Sequence, residues 1–563
     1  MKFQNYPVER HGDLKQMLRQ VAMENPNKTA FLQKVDGVYH ACRYGKFYAD
    51  VNGLGTELTE MGLRGARILL VGRNCYQWAV AFLAVACGVG TVVPIGETLS
   101  RGEMLELARY SEASAVICAD GLAERFSEEG TLLRTIPFSA LKNLVRRGRQ
   151  RIREGNRKYQ DLTVDPNAMC AMLFSSGTWG EKRGVMLSHS NLCFSVSEMR
   201  RMVLIDGSDL FLSVLPMHHV YQCVCGFLCP ISCGATVAFA EGLRQMGKNM
   251  QEVRPTVLLC VPAVLEGMFR RMKEHIYACG EENRIKRVVD VTNALPNSKL
   301  SLAAKQKSLA ALHRMFGGNL RLIISGGSSA SAEAIKGFRD LGILTLQGYG
   351  MTECASVIAL NRDTCHRDDA AGLPTPNALL DLANMQEDGV GEIRYRGDSV
   401  MLGYYRMPKR TAEVLRDGWF YTGDLGYFDA DGFLYVVGRA QNVIELSDGR
   451  KLFPEALERL LCRSPYVKDA AVIPFREEGA DGVIPLALLC PDGERIAEET
   501  GESDPKPRAE LLMRRVLAEV NGELLPYQRI QRLEIRWDAL PKTPTGKIKR
   551  AELMRIYADL SAK

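Results

Sequence analysis

Residues 320–353 read LRLIISGGSSASAEAIKGFRDLGILTLQGYGMTE. Two short apolar runs, LRLIISGG and LGILTLQGYG, each break into a glycine-rich turn. Runs of this length bounded by turn residues are the pattern of strands buried on both faces. The pattern recurs upstream as ARILLVG from Ala66, TVVPIG from Thr91, SAVICAD from Ser114, MCAMLFSS from Met169 and TVLLCVP from Thr256. Helical stretches lie between them, the first around Tyr76 to Cys87. Strand–helix alternation predicts α/β layers with buried, mostly parallel sheets. Arg271 to Phe316 has amphipathic helical character and reads as an inserted helical layer. After Gly438-Arg439 the pattern changes: DAAVIP, PLALLCP and IQRLEIRW are strands and RAELLMRRVLAEVNGEL is a helix. This is a small α+β unit of about 120 residues, ordinary for a domain, with its boundary near Gln441. No internal repeat or low-complexity tract interrupts the chain.

The chain has 563 residues, 46% hydrophobic and 25% charged, which is the balance of a globular protein with a large core. Its net charge of +6 is too small to imply nucleic acid but suits an anionic ligand. The opening MKFQNYPVERHGDLKQ has no apolar signal region. The 16 cysteines show no paired framework, so a cytoplasmic chain with free thiols is expected. Cys223, Cys225, Cys229 and Cys233 follow His218 and His219 in a spacing that fits no zinc pattern, and a buried Cys-rich segment is the plainer reading. Trp78 to Gly96 and Val220 to Ala240 lack charge. Each reads as a buried helix running into a strand, and a peripheral membrane contact is the alternative if the substrate is a lipid. The basic run Lys142 to Lys158 is either a solvated helix and linker or a contact for an anionic membrane or CoA phosphates.

Five motifs carry chemistry. Ser175-Ser176-Gly177-Thr178-Trp179-Gly180-Glu181-Lys182-Arg183-Gly184 sets hydroxyls, glycine amides and cationic heads where phosphate oxygens could approach, without Walker spacing. Gly348-Tyr349-Gly350-Met351-Thr352-Glu353 follows a strand, where α/β proteins bind ligands. Tyr349 can stack on a base, Thr352 can bond a phosphate and Glu353 can hold Mg²⁺. In Trp419-Phe420-Tyr421-Thr422-Gly423-Asp424 the carboxylate can accept two ribose hydroxyls. Gly438-Arg439 offers a guanidinium. Pro541-Lys542-Thr543-Pro544-Thr545-Gly546-Lys547 is a shaped loop whose terminal lysine can stabilise a transition state.

In this order and spacing the motifs resemble the adenylate-forming (AMP-binding) superfamily of acyl-CoA synthetases, luciferases and peptide-synthetase adenylation domains. The resemblance spans residues 25 to 555 or thereabouts. It implies an α/β fold of acyl-CoA synthetase or luciferase type. Residues 1–440 would form a large N-terminal domain of layered α/β subdomains holding the ATP and acyl sites. Residues 441–563 would form a small mobile α+β C-terminal domain carrying the adenylation lysine.

The same resemblance implies the site. Ser175, Ser176, Gly177, Thr178, Gly180 and Arg183 would hold ATP phosphates. Gly327 and Ser328 in Ser325-Gly326-Gly327-Ser328 would contact adenine, and Tyr349 would stack on it. Thr352 would bind phosphate, Glu353 the Mg²⁺, and Asp424 and Arg439 the ribose. Lys547 would bridge the carboxylate and the α-phosphate, and Gln441 would sit at the hinge. Trp179, Lys182 and Arg183 depart from the usual phosphate loop, and Gln441 is neutral where Asp or Lys is usual. Slower or altered phosphate release and domain rotation, without loss of the chemistry, are expected from these departures.

A carboxylate attacking the α-phosphorus needs no general base, because it is ionised above a pKa of about 4. It needs cations to offset anion–anion repulsion and a closed site to protect acyl-AMP from water. Rotation would then bring Leu446-Ser447-Asp448-Gly449 toward a pantetheine thiol. Phe211 to Pro230 should line the acyl side and holds no acidic residue, which counts against amino-acid substrates. Gly350 stands where acetate-type relatives carry a Trp, which implies an open pocket floor. The stretch Leu446 to Glu455 and the helical insertion resemble the long-chain fatty acyl-CoA synthetase branch. His219 reads equally as a structural residue or a contact to the carboxylate. The expected activity is a medium- to long-chain fatty acid–CoA ligase using ATP, Mg²⁺ and CoA. Loading of acyl carrier protein is the alternative within the class. A non-catalytic nucleotide-binding protein and a luciferase-like oxygenase are the alternatives outside it.

Overall fold

The computed structural model describes the chain except residues 1–3, 127–132, 177–181, 295–304, 447–449, 477–482, 502–503, 543–547 and 562–563. The apolar runs form two large sheets. In the nine-stranded sheet the parallel core runs Leu344–Met351, Leu322–Ser325, Val257–Cys260, Leu210–Ser213, Thr236–Phe239 and Thr29–Val35. Antiparallel strands close its edges, Val38–Arg43 on one side and Ser356–Leu360 with Leu373–Pro374 on the other. The seven-stranded sheet has Gly90–Ile95, Ala66–Val71, Ala115–Cys118 and Arg134–Pro137 in parallel, with Met169–Ser176 beside Gly90–Ile95. The mostly parallel expectation therefore holds for the sheet interiors and fails at their edges.

Both charge-free stretches are buried helix–strand units. Tyr76–Ala84 runs through a π-helical turn, Val85–Val89, into the strand Gly90–Ile95. Val220–Cys223 does the same through Val224–Leu228 and Cys229–Ser232 before Thr236–Phe239. Among the described residues no helix is long and apolar enough to cross a membrane. Cys223, Cys225 and Cys229 are free and buried in the main core. Burial pushes the Cys225 thiol up to about 12, and among the described residues no group of three or more His, Cys, Asp or Glu side chains could hold a metal.

The basic run forms most of the helix Phe138–Arg153, which crosses Tyr44–Glu60 at Gly148 over Gly53. A Cβ on Gly148 would lie 1.8 Å from the Gly53 carbonyl oxygen, so the crossing depends on glycine. Closeness brings charges together. Arg147 and Arg151 pair with Glu57 at 3.0 and 2.8 Å, and Arg149 with Asp50 at 2.7 Å. The acids are buried, and three of the arginines answer charges within the fold rather than a phosphate outside it.

Sequence reading missed a third sheet. Leu379–Ala383, Gly391–Arg396, Trp419–Phe428, Leu415–Arg416 and Leu434–Arg439 form five antiparallel strands. The smaller C-terminal unit is a three-stranded sheet, Val467–Phe475, Ile484–Pro491 and Arg532–Ile535, with helix Lys506–Glu523 against it.

Candidate active site

Tyr349 lies where the strand Leu344–Met351 leaves its parallel neighbours and pairs antiparallel with Ser356–Leu360. Asp424 and Arg439 are cross-strand partners in the third sheet. The three side chains meet. The Tyr349 hydroxyl donates to Asp424 Oδ2 at 2.7 Å, and Arg439 Nε forms an ion pair with Oδ1 at 3.2 Å. Burial, then the adjacent Asp424 carboxylate, hold the Tyr349 phenol well above its usual value, so it stays a donor. An ionised carboxylate has about four acceptor positions, so both oxygens keep capacity for sugar hydroxyls.

A second cluster lies four residues on from Tyr349. Glu353 is 9% exposed, and its Oε1 accepts from the Tyr404 hydroxyl at 3.0 Å. The Arg183 guanidinium lies over the Tyr404 ring, 5.6 Å from its centre. Arg183 and Gly184 belong to Lys182–Ser188, which pairs antiparallel with Met169–Ser176, so the described ends of the Ser/Gly segment form a hairpin. Tyr404 joins this hairpin to Glu353. It sits in a two-residue strand paired to Val185, with no motif around it, and was missing from the sequence reading. Ala355 and Ser356 turn the chain after Glu353 with φ of 49° and 101°. Such backbone costs of order 1–3 kcal/mol per residue and concentrates at sites the surroundings over-determine.

The buried Glu353 carboxylate fits Mg²⁺, which takes one or two protein carboxylates and completes its shell with phosphates and water. Gly327 and Ser328 are exposed on the turn after Leu322–Ser325, at the carboxyl ends of the parallel strands beside Tyr349. Gly327 has a φ of 96°. Ser175 and Ser176 end their strand. Gly177, Thr178, Gly180, Gly449 and Lys547 lie outside the described residues.

The expected acyl side packs against both nucleotide motifs. The Tyr221 hydroxyl donates to the Ile324 carbonyl at 2.8 Å, and Cys225 Sγ lies 3.3 Å from Ser356 Oγ. His219 caps the helix Val220–Cys223, its ring 4.2 Å from that of His218. Gly350 requires a correction. A Cβ there would stand 1.5 Å from the Ser356 carbonyl oxygen. Glycine is demanded by the approach of two backbones, and the missing side chain opens no pocket floor.

Burial lowers His218 to about 3 and His219 to about 4, His218 also through repulsion from His219. Burial lowers His189, in the core, to about 4. All three are neutral at pH 7. Their folded values lie below the unfolded 6.5, so the unfolded chain binds more protons between the two. Stability is therefore full above about pH 6.5 and falls as pH drops toward 4. A melting-temperature series should show this fall beginning above the carboxylate range. His218→Asn should flatten it between pH 6.5 and 5, and an unchanged slope would refute the assignment.

The chain belongs to the AMP-binding enzymes, the adenylate-forming acid–CoA ligases. The family model described as AMP-binding enzyme matches residues 18–405, and that of the AMP-binding enzyme C-terminal domain matches 456–547. The chain is 25% identical to long-chain-fatty-acid–CoA ligase FadD15 of Mycobacterium bovis, over 98% of this chain and 97% of that one. It is 24% identical to the chloroplastic long-chain-fatty-acid–[acyl-carrier-protein] ligase AEE15 of Arabidopsis thaliana, over 92% and 81%. Among solved structures, the anthranilate CoA ligase AuaEII in complex with anthranoyl-AMP shares the fold with a TM-score of 0.76, 20% identity and 99% coverage of each chain.

Proposed function

We propose that this protein activates a medium- to long-chain fatty acid with ATP, forming acyl-AMP and pyrophosphate, and transfers the acyl group to CoA. The observation that carries the acyl assignment is the neutrality of the segment beside the nucleotide motifs. His218 and His219 are uncharged, and the Tyr221 hydroxyl is engaged by a backbone carbonyl. An ammonium or second carboxylate on the substrate would meet no counter-charge there, which is costly when buried. Full-length similarity to fatty-acid ligases supports the same reading.

In this account Asp424, held by Tyr349 and Arg439, fixes the ribose, and Tyr349 stacks on the base. Arg183 and the Ser/Gly segment attract the phosphates. Glu353 and Thr352 would hold Mg²⁺, which when bound neutralises phosphate charge. Lys547 would meet the incoming carboxylate and the α-phosphate from the C-terminal unit, whose boundary we place between residues 440 and 441. Gly449 would pass on the thiol-accepting face. Similarity to AEE15 favours acyl carrier protein as the second acceptor to consider.

The test is pyrophosphate release across straight-chain acids from C2 to C18, with CoA and, separately, with pantetheinylated carrier protein. The account expects kcat/KM to rise with chain length beyond acetate, by about tenfold for each two methylenes buried, and thioester to form with CoA. A preference for acetate or for an amino acid would overturn the fatty-acid assignment.

A further inference from the structure

Residues 401–406 lace three parts of the fold together. Gly403 and Tyr404 pair with Met186 and Val185 of the strand that carries Arg183. Backbone bonds extend this pairing on both sides: the Leu402 amide donates to the Met186 carbonyl at 2.9 Å, and the Tyr405 amide to the Gly184 carbonyl at 2.7 Å. The Met401 amide donates to the Glu353 carbonyl at 2.8 Å. The far end is fixed to the helix Arg101–Tyr110 and the residue that follows its cap. The Tyr110 hydroxyl donates to the Tyr405 carbonyl at 2.6 Å. The Tyr405 hydroxyl donates to Glu112 Oε2 at 2.7 Å, and Arg406 pairs with Glu112 Oε1 at 2.9 Å.

Tyr404 lies in the middle of this lacing. It is buried, and its amide donates to Thr411 Oγ1 at 3.0 Å. Its side chain touches both charges of the site: the hydroxyl donates to Glu353 Oε1, and the ring lies beneath the Arg183 guanidinium. A donor on one carboxylate oxygen fixes the rotation of the group and so the direction of the other oxygen, which is how outer residues orient a metal ligand. A guanidinium within about 6 Å of a ring centre is drawn to the ring face. One rigid side chain therefore sets a carboxylate and a cation at a fixed separation. The segment does not need the Tyr404 hydroxyl to stay in place, because backbone bonds and the contacts to Glu112 hold it. That hydroxyl is left for Glu353.

We propose that Tyr404 is a positioning residue for adenylation: it fixes the orientation of the Glu353 carboxylate and couples it to Arg183, so that a divalent cation and the phosphates of ATP bind as one unit. The proposal rests on the reading of Glu353 as the Mg²⁺ carboxylate and of Arg183 as a phosphate contact.

Tyr404→Phe keeps the ring beneath Arg183 and removes only the hydroxyl. Calorimetric titration with α,β-methylene-ATP, in excess Mg²⁺ and separately in EDTA, reads the effect. In Mg²⁺ the affinity should fall by about 10- to 100-fold, and in EDTA it should stay within about twofold. The Mg²⁺ concentration giving half-maximal pyrophosphate exchange should rise in step, with kcat at saturating Mg²⁺ and ATP within about threefold. Tyr405→Phe removes the neighbouring hydroxyl, from Glu112, and should leave both affinities within about twofold. Thr411→Val removes the acceptor of the Tyr404 amide. It should act in the same direction as Tyr404→Phe and less, and it carries the test if Tyr404→Phe does not fold. Equal losses with and without Mg²⁺, no loss in either, or the same loss in Tyr405→Phe overturns the positioning role. If Mg²⁺ does not tighten the wild-type complex, or tightens that of Glu353→Gln equally, the metal reading of Glu353 fails and this proposal falls with it. If wild-type protein binds no nucleotide and shows no exchange with any acid, the proposed function itself fails.

Discussion

Lys547→Ala should lower acid-dependent ATP–pyrophosphate exchange by roughly 10³-fold while leaving thioester formation from synthetic acyl-AMP within about threefold. The effect is electrostatic. A carboxylate approaching a triphosphate meets like charge, and a cation placed between the two anions acts most where negative charge concentrates, at the pentavalent α-phosphorus. Acyl-AMP has already released pyrophosphate, and a thiol attacking its carbonyl carbon has no need of that cation. Loss of both steps together would show that the lysine supports the fold rather than adenylation. Loss of neither would remove it from the chemistry.

Asp424→Ala should lower kcat/KM for ATP by about 10²- to 10³-fold through KM, with KM for the acid within about twofold. Asp424 is 6% exposed and holds two partners, the Tyr349 hydroxyl and Arg439 Nε. Removing it would delete the two sugar contacts proposed for it, and it leaves the buried Tyr349 hydroxyl without its acceptor, which costs about 1–3 kcal/mol on its own. Asp424→Asn retains one acceptor oxygen and the packing, so it should lose less and melt near the wild-type temperature. Calorimetric titration with ATP reads the effect directly. Unchanged ATP affinity in Asp424→Ala would place the ribose elsewhere.

The parallel sheets were legible because a strand buried on both faces is a bare apolar run, and ARILLVG or TVLLCVP has no other plausible use. The third sheet was not. Its strands alternate buried and partly exposed residues, as in Gly391–Arg396, and they carry Gly423, Asp424 and Arg439, residues conspicuous enough to be read as motif and not as strand. Tyr404 escaped for another reason. It reaches Glu353 across 51 positions of chain, and no local spacing announces a contact made by strand pairing. The basic helix shows the same limit in reverse. Arg147, Arg149 and Arg151 invite an anionic ligand until Asp50 and Glu57, roughly a hundred residues earlier, are seen to face them. Gly350 was noticed for the side chain it lacks, whereas the backbone crossing at Ser356 is what excludes one.

Transfer of heavy oxygen tests the chemistry itself. Given a fatty acid with both carboxylate oxygens ¹⁸O-labelled, together with ATP and CoA, the protein should release AMP carrying one heavy oxygen on its phosphate. That oxygen made the bond to the α-phosphorus and stayed with it when the thiol displaced the adenylate. AMP without label, or ADP as the nucleotide product, would mean that no carboxylate of the acid ever struck the α-phosphate.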